Sequence, residues 1–198
     1  MKRNYDDTGT TATMNPPKGG RSEGQSGKAG VNKEEMMKKA EAAGKPGPGH
    51  QALNHYVGDW NAEVKCWMEP GNPPNVSQGT AKVSWVMNGR FLEEDFRGDM
   101  MGKPFRGRTV TGYDNVTQMY RSVWISDMQT SMFVSEGKGE NGNKILTLKG
   151  TTSCPMRGAD IPMKLVLRVL GPDKHLFEMF DESQGPNAKT MEITYTRQ

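Results

Sequence analysis

Beyond residue 50 the chain repeats one pattern: segments of about 8–11 residues in which apolar and polar side chains alternate, each closed by turn residues. Period-two alternation is what an extended strand needs when one face is buried and the other meets water. Trp60, Ala62, Val64, Cys66 and Met68 share a face of the first such segment. Ala81, Val83, Trp85 and Met87 share a face of the second, and Asn88-Gly89 is a two-residue hairpin signal. Further strands read as 91–97, 105–113, 118–127, 130–138, 144–152, 161–170, 175–181 and 190–197, ten in all. No gap between them holds a crossover helix, which excludes parallel α/β folds. Ten hairpin-linked strands either split into a two-sheet sandwich or close into an up-and-down barrel, and closure alone removes the exposed edges. The expectation is an all-β closed barrel, led by a short helix over His50–Val57 that enters the first strand through Gly58-Asp59-Trp60.

The first 49 residues are of another kind. Up to Gly30 the chain is rich in Gly, Ser, Thr, Asn, Pro and Lys, too little apolar surface to offset the entropy of ordering, so a disordered tail is expected. Residues 32–43 are helix formers, with Asn32 as N-cap and Glu34–Lys38 and Glu35–Lys39 at four-residue spacing; Gly44-Lys-Pro-Gly-Pro-Gly49 ends them. A helix this short is marginal alone and reads as a frayed linker, with Met36, Met37 and Ala40 as its face should it dock.

Charge follows the same division. Residues 1–49 hold nine Lys/Arg and six Asp/Glu, leaving 17 of each sign in residues 50–198. A nucleic-acid-binding fold carries its positive excess on the folded surface; here the excess lies in the tail, so no dedicated nucleic-acid surface is expected. No run approaches the roughly 18 apolar residues of a membrane span. The start shows no apolar stretch after its two cations, so no signal peptide is read, and two cysteines provide no disulfide framework. Both point to the cytoplasm.

Gly58-x-Trp60 at the opening of the first strand resembles the start of lipocalins and other calycin barrels. Pro46-Gly-Pro-Gly-His50, Val57-Gly-Asp-Trp60, Trp67-Met-Glu-Pro-Gly71, Gly89-Arg-Phe-Leu92, Thr111-Gly-Tyr-Asp114, Trp124-Ile125, Phe177-Glu-Met-Phe180 and Met191-Glu-Ile-Thr-Tyr195 resemble a bacterial family, domain of unknown function 1579, over residues 46–197. The resemblance implies a calycin-like barrel and no activity. Residues before 33 depart from it.

Chemistry is sparse in this pattern. With only His50, His55 and His175, and no HxH, HExxH or CxxC, no metal site is expected. His175 reads as a surface or edge residue. The alternative, from the resemblance to nitrobindin-type calycin barrels, is an axial haem ligand. Glu93 and Asp95 share a strand face opposite Glu94; they form either an internal acid–base pair or, with Arg97, an outward ladder facing Arg106 and Arg108. Met68, Met87, Met132, Met163 and Met191 either fill a core or line an adaptable cavity. Tyr195 and Arg197 share the face of Met191 and Ile193, in partial resemblance to the ligand-gripping pair of fatty-acid-binding barrels; in the calycin pattern such an arginine covers the Gly-x-Trp tryptophan, here Trp60.

The reading is a barrel that binds a small apolar or amphipathic molecule, its wall drawn from Trp60, Trp85, Trp124, Met132, Leu165, Tyr195 and Arg197. One alternative is a barrel enzyme of isomerase or cyclase type using Glu93, Asp95 and His175. Another is a solid scaffold that engages a partner through its N-terminal tail.

Overall fold

A computed structural model describes residues 32–69, 71–100 and 102–198; the tail expected before residue 31 lies outside them. Helix α1 (Lys33–Ala43) begins at Asn32, whose side chain accepts the Glu34 N–H at 3.1 Å. Lys38 pairs with Glu34 at 2.7 Å and Lys39 with Glu35 at 2.6 Å, as the spacing predicts. Such exposed pairs contribute only about 0.2–0.5 kcal/mol each. The helix buries no residue, and Met36 and Met37 stay exposed. Its end is tethered, since the Asn115 amide donates to the carbonyls of Ala43 and Lys45 at 2.8 Å.

Helix α2 (Pro48–Gln51) and a 3-10 turn (Ala52–Tyr56) lead into ten strands. These are β1 (Gly58–Cys66), β2 (Asn75–Val86), β3 (Phe91–Met100), β4 (Lys103–Asp114), β5 (Met119–Ser126), β6 (Gln129–Glu140), β7 (Ile145–Cys154), β8 (Ala159–Gly171), β9 (Lys174–Asp181) and β10 (Lys189–Arg197). Each pairs antiparallel with the next, and β10 returns to β1, closing the barrel. The closing register sets Trp60 opposite Arg197, Ala62 opposite Tyr195 and Val64 opposite Ile193.

Two methionines that alternation places in strands lie outside them. Met87 falls in the β2–β3 connection, which spans four residues rather than two: Met87, Asn88 and Gly89 all have positive φ (48°, 56° and 79°), and the Arg90 N–H donates to the Val86 carbonyl. Met68 lies beyond the end of β1. Both are exposed.

The inward face is lined by rings laid flat on glycines. A Cβ at Gly107 would stand 1.9 Å from the Trp124 ring, and one at Gly98 would meet both Phe96 and Phe105 within about 3 Å. Glycine at these positions gives the rings room to pack directly against the wall.

Helix α2 and the 3-10 turn plug one end. Tyr120 Oη donates to the Gly49 carbonyl at 3.1 Å, Trp60 Nε1 to the Tyr56 carbonyl at 2.8 Å, and Trp85 Nε1 to Asn54 Oδ1 at 2.9 Å. Leu53 and Tyr56 are the buried residues of the 3-10 turn. Gly49 sits against Tyr113, where a Cβ would approach the ring to 2.4 Å. At the opposite end the loops after β1, β3, β5, β7 and β9 surround the mouth. There Arg157 of the β7–β8 loop pairs with Asp181 at 2.9 Å, and Asp181 also accepts from Ser183 and Gln184.

Candidate functional site

Alternation along β3 turns Leu92, Glu94 and Phe96 inward, so an acidic side chain enters between two buried apolar ones. Glu94 Oε1 accepts from Tyr195 Oη at 3.1 Å, and Oε2 accepts from Thr109 Oγ1 at 3.0 Å. Tyr195 belongs to β10 and Glu94 to β3; the two strands between them turn the small Ala62 and Ala81 inward, which leaves room for the tyrosine to reach across. Thr111 Oγ1 donates to Ser122 Oγ at 3.0 Å, and Ser135 is buried further along the wall. A polar belt thus runs round an otherwise apolar interior.

Burial pushes the Glu94 carboxyl above the usual carboxylate range, with the Thr109 and Tyr195 hydroxyls opposing the shift. Burial beside that carboxyl likewise raises the Tyr195 phenol. Among the described residues no Lys or Arg forms an ion pair with Glu94. Trp85, Thr109, Thr111, Tyr113, Trp124, Leu167 and Phe177 point inward yet retain accessible surface, as does Glu94.

Towards the plug the belt gives way to aromatic packing. His175 stacks on Tyr195 (4.4 Å between centroids, 16° between planes) and meets Trp60 edge-on at 4.4 Å and Tyr56 at 5.0 Å. It is 4% exposed, which corrects the expectation of a surface or edge residue: β9 turns His175, Phe177 and Met179 inward together. Burial, with His55 and Arg197 nearby, pulls its pKa down to about 3, so the imidazole is neutral at ordinary pH. His55 Nε2, Tyr56 Oη and His175 Nδ1 are buried without a hydrogen-bond partner among the described residues. Tyr195 stacks on His175 while Trp60, Tyr56 and His55 meet it nearly at right angles within 6 Å, a crowded packing that does not fit a porphyrin beside it.

The Arg197 guanidinium stands 4.2 Å from the Trp60 ring centroid and donates to the carbonyls of Val57 (2.9 Å), His55 and Pro172 and to Asp173 (3.0 Å). It fastens the plug, as the calycin pattern implies, and is turned away from the lumen. Trp60 is wholly buried under it. Trp85, Trp124, Leu165 and Tyr195 do face inward. Met132 does not: it is 66% exposed on the outer wall, because Phe133 takes the inward position of β6.

Glu93 and Asp95 also lie outside. Asp95 pairs with Arg106 (Nε to Oδ1 at 3.0 Å) and with Arg97 at 3.7 Å, while Glu93 faces Arg108 at 3.8 Å. This is the outward ladder, and the pair named for acid–base work is not internal. The inward carboxylate is Glu94, and the signal for it was its apolar neighbours Leu92 and Phe96 at the same parity. A groove of about 460 Å³ on the outer wall is lined by polar side chains, among them Asn61, Glu63, Lys65 and Gln78.

These features define a closed ten-stranded barrel, plugged at one end, with a belted interior. Residues 45–197 match a family described as a protein of unknown function, DUF1579, and the chain belongs to that family. No curated protein matches it. The crystal structure of Rv2717c from M. tuberculosis is similar in fold, with a TM-score of 0.57 and 16% identity, covering 78% of this chain and 99% of that one. A redesigned β-barrel aligns with a TM-score of 0.40 and 13% identity over 76% of this chain and 96% of its own. No described helix is long and apolar enough to cross a membrane.

Proposed function

We propose that the barrel is a binding protein that encloses a small amphipathic molecule, its polar end at Glu94, Thr109 and Tyr195 and its apolar part against Trp85, Trp124 and Leu165. The observation that carries this is the Glu94 carboxyl, turned inward between Leu92 and Phe96 with two hydroxyl donors and no ion pair among the described residues. Burying a carboxylate without a counter-charge costs several kcal/mol even after relaxation, which a fold does not retain for packing alone. Two free cysteines suit a reducing cytoplasm.

The test is native mass spectrometry on protein purified without denaturation, together with titration of the neutral dye N-phenyl-1-naphthylamine. A reproducible excess mass, or dye fluorescence that Glu94→Leu alters, is the expected result. A bare mass with no dye response in any variant would mean a barrel filled by its own side chains, and would favour the scaffold reading.

A further inference from the structure

We infer that the ligand this interior takes is an amine: an amphiphile whose protonated nitrogen pairs with Glu94. The inference rests on the binding reading above and specifies its chemistry.

Two of the lone-pair directions of the Glu94 carboxylate are used by Thr109 and Tyr195, and the others have no hydrogen-bond donor among the described residues. The row through Glu94 runs Val83, Glu94, Thr109, Trp124, Phe133 across β2 to β6, and Trp85 is a diagonal neighbour on β2. None of these side chains carries positive charge. The nearer aromatic faces, Trp85 and Trp124, attract a cation through the ring quadrupole and offer nothing to an anion.

The other charged groups on the inward face of the strands are already satisfied. Asp181 at the mouth is paired with Arg157, and Arg197 at the plug is committed to Asp173 and three backbone carbonyls. The arginine that would have gripped a ligand carboxylate is therefore withdrawn, and what remains is a carboxylate in a poorly solvated space. There a single opposite charge is favoured far more than in water, and a like charge is disfavoured by as much. A neutral alcohol gains only an ordinary hydrogen bond.

The experiment compares octan-1-amine, octan-1-ol and octanoate, equal in chain length, by dye displacement and calorimetry on the native protein and on Glu94→Gln. The amine is expected to bind at least about tenfold tighter than the alcohol and octanoate weakest, with Glu94→Gln bringing amine and alcohol within about threefold. If Glu94→Gln does not fold, Glu94→Asp withdraws the carboxylate by one methylene and should weaken the amine about tenfold with the alcohol unchanged. Equal binding of the three probes, or octanoate tightest, leaves the binding reading standing and overturns the amine. An amine preference that survives in Glu94→Gln also overturns it. Binding of none of the three removes both.

Discussion

Arg197 covers the indole of Trp60 at 4.2 Å, and these two residues, 137 apart in the chain, are also cross-strand partners in the register that closes the barrel. One side chain thereby joins the seam between β1 and β10 to the plug, through its bonds to the carbonyls of Val57 and His55.

Replacing Arg197 tests how much rests on that junction. Arg197→Ala should destabilise the fold by about 2–4 kcal/mol, from the lost cation–π contact and unpaired carbonyls. Arg197→Lys keeps the charge but not the planar fork, and should recover less than half of the loss. Urea midpoints read both.

Acid should unfold the barrel partly through His175. Its folded pKa is near 3 against about 6.5 when exposed, so between those values the unfolded chain binds the extra proton and stability falls as pH drops. The loss from pH 7.5 to pH 5 should be about 2 kcal/mol for this residue. Glu94 works in the opposite sense: its folded pKa is raised, so its contribution is present below the ordinary carboxylate range and is lost as pH rises through the folded value. His175→Phe should flatten the slope between pH 5 and 6.5, measured as the difference in urea midpoint between the two proteins. An unchanged slope would place the imidazole in water.

The ring-on-glycine wall predicts a contrast between two alanines. Gly107→Ala drives a methyl into the Trp124 ring and should cost about 1–3 kcal/mol while shifting tryptophan emission. Gly171→Ala meets nothing within 4 Å at a φ alanine accepts, and should change neither by more than about 0.5 kcal/mol.

The strands legible in the sequence were those whose two faces differ. In β1, Trp60, Ala62 and Val64 alternate with Asn61, Glu63 and Lys65, and in β8 Met163, Leu165 and Leu167 keep the inward parity throughout. Parity was illegible where both faces carry the same kind of residue. Met132, Phe133 and Val134 are all apolar, so the inward one could not be told from its neighbours. Glu93, Glu94 and Asp95 are all acidic, and the burial of the middle one follows only from Leu92 and Phe96 on either side. His175 was missed for the first reason, since Leu176, Phe177, Met179 and Phe180 put apolar groups on both faces of β9. The four-residue β2–β3 loop was missed because Asn88-Gly89 suits a longer turn with three positive φ values as readily as a two-residue one.

Pairing of β1 with β10 also sets the order of events on the ribosome. Each strand can pair with its predecessor as it emerges, but the partners of Trp60, Ala62 and Val64 are Arg197, Tyr195 and Ile193, in the strand furthest from β1 in chain order. Until β10 has emerged, β1 presents an unpaired edge beside an apolar face, the state most open to association with another nascent chain. The nine residues of β10 are what remove that edge, and a chain lacking them would be an adhesive sheet in place of a barrel.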